Sequence, residues 1–315
     1  MNYLAGVDEA GLGPILGPLV VAGAAMSGPA GVDPWTALEQ HVCRDRATKG
    51  KVRVADSKKV YQGPHGLERL ENTVLTFWGA WKGELPRTLE ELLVGFSVDL
   101  DRLRRCPWYR DLALPLPLRA DAGLVELQAH GLAKTLAREG LKLLHLAALP
   151  VDVDEFNDLI EETDNKSRAH FRAYARVIAE LIELLPDGAH LVADRCGGIA
   201  HYMPALQRAF PEAKLEKIQE RALVSSYSIR DASRAVKITF AAGGEDRAFP
   251  TALGSCLAKY LRELMLQCLN RWFCARVEGL RPTAGYYTDG RRFLREVAPV
   301  LHAEGFPRRI LVRSR

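Results

Sequence analysis

Cysteine is sparse and scattered. Six occur, at 43, 106, 196, 256, 268 and 274, with no CxxC pair and no histidines grouped beside them, so the spacing of a zinc site is missing. A chain of 315 residues, 48% of them apolar, buries enough core to stand without disulfides, and reduced thiols are expected. The apolar stretch from Ala5 to Met26 holds two acids and two prolines and has no basic residue ahead of it. It is therefore neither a signal peptide nor a membrane span, and a cytoplasmic protein is expected. Neither sign of charge dominates: the formal net charge is +4, which says little about partners unless the charge is clustered. No internal repeat and no low-complexity tail is present.

What is there reads as alternating strands and helices. Residues 3–8 and 19–26 are short buried strands joined by a Gly/Pro-rich turn. Residues 63–83 predict a helix running into a strand. Residues 84–121 are an amphipathic helix followed by a Pro-rich loop, an apparent insertion. Residues 122–145 carry helical spacing, and 146–153 read as a strand. A long helix is predicted over 164–185 from Phe171, Tyr174, Ala175, Ile178 and Leu181. There follow a strand ending at Asp194, a helix near 201–210, strands within 214–242 and a helix over 251–275. This alternation argues an α/β fold.

Three acidic features stand out. In "GVDEAGLGP", Asp8 and Glu9 end an apolar strand just before a glycine-rich turn. Successive strand residues face opposite sides, so both acids serve one site only if the strand twists or ends there. Buried carboxylates persist when something positive holds them, and a hard divalent cation is one such partner; an exposed turn is the other reading. In "LVADRCGG", Asp194 closes another apolar strand ahead of Gly197 and Gly198. That is a common place for a ligand, and equally for a helix cap. In "AGGEDRAFPTALGSCLAK", Glu245 and Asp246 precede a helix whose dipole they would also complement.

Taken in order, these segments resemble ribonuclease HII, the type 2 ribonuclease H family. "DEAGLGPILGPLVVAGAA" is similar to that family's opening "DEAGRGP…GPVVAAAV". "DSKKV", Asp56 to Val60, is similar to its "DSKKL". Asp194 matches its strand-end aspartate, "TALGSCLAK" its "SAASILAK", and "TAGYYTDGRRFL" its "GSGYPxD". The matches cover the first 60 residues and roughly 150–295.

The resemblance implies an RNase H-like fold, a central mixed sheet flanked by helices, with a helical C-terminal part. Residues 1–80 and 147–315 would form the catalytic domain and 81–146 a mostly helical insertion. It implies an endonuclease that hydrolyses the RNA strand of RNA/DNA hybrids, including single ribonucleotides embedded in DNA. Two Mg²⁺ or Mn²⁺ ions would be held by Asp8, Glu9, Asp194 and Asp246, with Glu245 as the alternative fourth ligand. Such carboxylates repel one another, so without the ions their pKa values should be raised.

Nucleic-acid contacts are carried over to Gly11, Leu12, Gly13, Ser57, Lys58, Lys59 and Tyr286. Arg291 and Arg292 also suit phosphates, and Asn157 is compared with a family asparagine near the site. Tyr287 is expected in the core, and His170 and His201 are expected to be structural. Leu12 stands where the family has arginine, which removes a charge-assisted contact. A monomer is expected. Two other functions fit the same residues: a hybrid-binding protein without turnover, and an RNase H-like nuclease acting on DNA.

Overall fold

A computed structural model describes residues 1–197 and 199–314; Gly198, expected to help open the loop after Asp194, lies outside the described residues. The strands are β1 (Asn2–Ala10), β2 (Leu19–Gly28), β3 (Val42–Cys43), β4 (Val52–Arg53), β5 (Lys142–Val151), β6 (His190–Asp194), β7 (Lys214–Glu220), β8 (Val224–Arg230) and β9 (Ala235–Ala241). The helices are α1 (Pro34–Ala37), α2 (Ser57–Val60), α3 (Gly66–Lys82), α4 (Leu89–Gly95), α5 (Leu100–Leu103), α6 (Ala122–Arg138), α7 (Val153–Thr163), α8 (Lys166–Glu183), α9 (Met203–Ala209), α10 (Phe249–Cys274) and α11 (Tyr287–Ala303).

Seven strands form one mixed sheet in the order β5-β2-β1-β6-β9-β8-β7. β1, β6 and β9 run parallel at its centre, and β2 and β8 pair antiparallel to either side. Helices cover both faces. All ten residues of β2 are buried, and they alternate between two cores. Val20, Ala22, Ala24 and Met26 join the side chains of α3 and α10, whereas Leu19, Val21 and Ala25 join α8. A strand covered on both sides reads as a continuous apolar run for this reason.

α10 lies against the sheet centre with almost no clearance. A Cβ on Gly6 would sit 2.1 Å from the Thr251 amide nitrogen, and the Thr251 hydroxyl donates to the Val192 carbonyl at 2.7 Å. This contact sets the start of α10 directly over β1 and β6.

Two sequence expectations are corrected. Residues 66–82 are helix throughout. The run Thr73 to Trp78, rich in β-branched and aromatic residues, has strand propensity. It is buried between α10 and α6, and tertiary packing overrides local preference there. The helix expected over 122–145 ends at Arg138; Lys142–Val151 is instead an edge strand paired antiparallel with β2. Residues 214–242 resolve into three strands. Within 84–121, Leu89, Leu92, Leu103 and Trp108 enter the same core as α3 and α10.

Candidate active site

The acids of β1 point to opposite faces, as strand geometry requires. Asp8 is buried toward α10. Its Oδ1 accepts the Glu9 amide at 2.7 Å, and it lies in hydrogen-bonding reach of Ser255. Glu9 points toward α8. Its Oε1 is 3.8 Å from His170 Nε2, and Tyr174 holds the strand end by donating to the Val7 carbonyl at 3.2 Å.

β6 brings the third carboxylate. Val7 pairs with Ala193 in parallel register, which places Asp194 beside Asp8 at the ends of adjacent strands. Asp194 Oδ1 accepts the Gly244 amide at 2.9 Å, and this bond fixes the 3₁₀ turn Gly244–Asp246 beside β6.

The electrostatics follow from that crowding. Asp8 is pushed well above the usual carboxylate range by burial, then by the charges of Glu9 and Asp194. Glu9 is pushed up to about 7 by burial, then by Asp194; Lys58 opposes the shift. Glu245 is raised by burial, then by Asp194 and Asp56. His170, buried under Glu9, is pushed down to about 4 by burial and by the charges of Arg313 and Lys166, so it is neutral at pH 7 and offers no counter-charge.

Asp246 behaves differently from its neighbour. It is half exposed and paired with Lys59, whose Nζ lies 2.9 Å from Oδ1. Glu245, the alternative fourth acid, is the one that feels Asp194, and its Oε2 is buried without a hydrogen-bond partner. Glu9 Oε2 is buried and unpartnered as well.

Among the described residues, no group of three or more His, Cys, Asp and Glu side chains is already gathered closely enough to hold a metal ion. The donor set nonetheless fits a hard cation: oxygen ligands only, like-charged, with two buried oxygens lacking partners. Buried polar atoms are ordinarily satisfied.

The remaining candidates fall into three groups. Ser57 is buried and bonded to Ser255 through both its amide (3.2 Å) and its hydroxyl (3.1 Å), so it braces α2 against α10 on the Asp8 side. Lys58 is exposed, close enough to act on Glu9. Lys59 is occupied by Asp246.

The glycine loop and Tyr286 share a second ridge. Ile15 and Leu16 amides donate to the Gly285 carbonyl at 2.8 and 3.2 Å, which brings Tyr286, 56% exposed, next to that loop. Tyr287, expected in the core, is also exposed. Leu12 Cδ2 lies 3.6 Å from where a Cβ on Gly197 would stand.

Three others are held by local contacts. Arg292 is tied to Asp289 and Glu296, and to the carbonyls of Arg281 and Pro282. Asn157 brackets the segment 309–314, donating to the Arg309 and Val312 carbonyls at 2.7 and 2.9 Å and accepting the Ser314 amide at 2.7 Å. His201 pairs with Glu220 at 3.2 Å.

Sequence reasoning missed two arginines under the glycine loop, Arg262 and Arg313. Both are essentially fully buried. Gly11 has φ +97°, and a Cβ there would lie 2.5 Å from Arg262 Nε; only glycine meets both conditions. Nothing near the loop in sequence marks either arginine.

No family model matches the chain, and no curated protein matches it. Solved structures align along nearly its whole length. An RNase HII in complex with PCNA, from Archaeoglobus fulgidus, is 18% identical with a TM-score of 0.44, covering 99% of this chain and 94% of that one. The ribonuclease H2 from Pyrococcus horikoshii OT3 is 13% identical with a TM-score of 0.39, covering 98% and 92%. Bst-RNase HIII in complex with Mn2+ is 12% identical with a TM-score of 0.44, covering 99% of this chain and 66% of that one. Likenesses this remote do not assign an activity. Among the described residues no helix is long and apolar enough to cross a membrane.

Proposed function

We propose that this protein is a metal-dependent endonuclease of RNase H-like type that hydrolyses the RNA strand of RNA/DNA hybrids, or cuts at ribonucleotides embedded in DNA. The observation that supports the reading is the nearness of Asp8, Glu9 and Asp194 on two adjacent parallel strands, where their charges act on one another. Burial and the neighbouring acids raise the pKa of Asp8 and of Glu9, and Glu9 keeps a buried oxygen without a partner. Such an arrangement is unfavourable by itself and becomes favourable around divalent cations.

Asp8, Glu9, Asp194 and Glu245 would hold the ions. Glu245 takes the place first given to Asp246 because Asp246 is neutralised by Lys59 at the surface. Two Mg²⁺ or Mn²⁺ ions held by these carboxylates would supply Lewis-acid chemistry, activating a water and stabilising a leaving oxygen at phosphorus.

The chain's other residues position the duplex. Lys58 is exposed beside Glu9 and offers a point charge to a phosphate. Tyr286 offers a ring on which a sugar or base can stack. The glycine loop is tied beside Tyr286 through the Gly285 carbonyl. Gly13 is exposed, with open space where a Cβ would stand, so a sugar edge with its 2′-hydroxyl can approach the backbone.

The test is cleavage of four labelled duplexes in Mg²⁺ or Mn²⁺: hybrid, DNA, RNA, and DNA with one ribonucleotide. Cutting confined to the hybrid and the ribonucleotide-containing DNA is expected. Cutting of plain DNA, or binding without cutting, would replace the reading with one of its two rivals.

A further inference from the structure

We propose that Arg313 is a positioning residue that holds the glycine loop in its substrate-binding form, replacing from beneath the arginine that Leu12 lacks within the loop. The inference rests on the nuclease reading for the identity of the substrate, but its structural basis is independent of it.

Arg313 lies some three hundred residues from the loop in sequence and beneath it in space. Its backbone amide donates to the Ile15 carbonyl at 3.0 Å. Its guanidinium fork reaches three loop carbonyls: Nη1 donates to Gly11 and, at 3.4 Å, to Leu12, and Nη2 donates to Gly17 at 2.8 Å. The side chain is 4% exposed. Its head sits over the Phe156 ring, 5.1 Å from the centroid.

The arginine has no carboxylate partner among the described residues. Arg262, its buried neighbour, is paired with Glu263 at 3.1 Å and donates to the Ala284 carbonyl. Backbone oxygens therefore carry the burden of satisfying the Arg313 charge, and their orientation is fixed in return. Five donors in a rigid plane suit several carbonyls at once; a lysine ammonium does not.

The consequence lies on the other side of the peptide planes. In a trans peptide, the carbonyl of one residue and the amide of the next point in opposite directions. With the Gly11 and Leu12 carbonyls drawn inward to the guanidinium, the Leu12 and Gly13 amides point outward. Neither donates to another described residue. Two successive outward amides form a concavity suited to an oxygen acceptor, here a phosphodiester oxygen or the 2′-hydroxyl. The loop is also tied at its far end, through Ile15 and Leu16, to Gly285 beside Tyr286. A shift at Arg313 would thus misplace both the amides and the tyrosine, without touching the carboxylates.

The test compares the wild type with Arg313→Lys and Arg313→Gln on the single-ribonucleotide duplex. KM is expected to rise by about tenfold or more in Arg313→Gln, the loss of charge-assisted hydrogen bonds, with kcat changed less than threefold; Arg313→Lys should recover only part of it. The Mg²⁺-induced rise in melting temperature should persist in both. Hydrogen exchange at Ile15 and Leu16 should quicken in Arg313→Gln while amides in α10 keep their protection. Unchanged KM with unchanged exchange overturns the proposal, and so does a loss of activity that tracks a general loss of protection. If the wild type fails to cleave, the nuclease reading falls. The exchange measurement then decides whether Arg313 holds the loop.

Discussion

Replacing Glu9 with glutamine should stabilise the protein in the absence of divalent ions, and only above a definite pH. Glu9 has a side chain 15% exposed, raised from 4.5 to about 7 by burial and by Asp194. An acid whose pKa is raised on folding binds its proton more tightly when folded. Stability is therefore intact below pH 4.5 and falls as pH rises toward 7, where the charge must be carried in the folded state. At 1.36 kcal/mol for each tenfold in proton affinity, the full loss is about 3 kcal/mol.

His170 does not offset it, being neutral down to about pH 4. Glutamine keeps the shape and an acceptor oxygen and has no proton to lose. Urea unfolding in EDTA at pH 5 and pH 8.5 should show Glu9→Gln more stable than the wild type by about 2–3 kcal/mol extra at the higher pH. Saturating Mg²⁺ should narrow that gap: at one hundred times its dissociation constant a bound ion adds about 2.7 kcal/mol to the wild type, and the variant, short of a ligand, should gain less. A stability difference independent of pH, or a variant weaker than the wild type at pH 8.5 in EDTA, would refute the reasoning.

Asp194→Asn should abolish cleavage while hybrid binding, followed by fluorescence anisotropy, stays largely intact; equal activity would remove Asp194 from the site. Glu245→Gln should lower metal-dependent turnover by at least about a hundredfold and Asp246→Asn by less than about tenfold, given how much a charge-stabilising group contributes to such sites; the reverse order in single-turnover rates would restore Asp246 as the fourth ligand. Tyr286→Ala should weaken hybrid binding by about 1–3 kcal/mol with no change in melting temperature, since the ring is largely exposed. Asp152 caps α7 by accepting the Glu155 amide at 2.9 Å and is raised to about 6 by burial. Asp152→Asn should therefore remove a stability loss that the wild type shows between about pH 4 and 6, read by urea unfolding across that window.

The parts legible in the sequence were those in which one local pattern decides the outcome. β6 is an apolar run that ends on its acid, Asp194, whereas β1, expected to stop at its acids, stays paired through Asp8 and Glu9 to Ala10. α8 repeats its apolar positions every three or four residues and is a helix over Lys166–Glu183. The illegible parts depended on partners far along the chain. The Thr73–Trp78 run looks like a strand until α10 and α6 enclose it. Lys142–His145 continues the apolar spacing of α6, and only pairing with β2 turns it into strand.

The same division holds at the site. Asp8, Glu9 and Asp194 were visible as strand-end acids. Glu245 and Asp246 are adjacent, and only the turn pinned by Asp194 Oδ1 and the reach of Lys59 separate their surroundings. Arg262 and Arg313 carry no motif. Their importance comes from burial beneath a loop about 250 and 300 residues away.

Crystals of the full chain grown with Mn²⁺ and measured at the manganese edge test the central claim most directly. Anomalous peaks are expected among the carboxylates of Asp8, Glu9, Asp194 and Glu245. Strong peaks elsewhere, or none at saturating Mn²⁺, would contradict it.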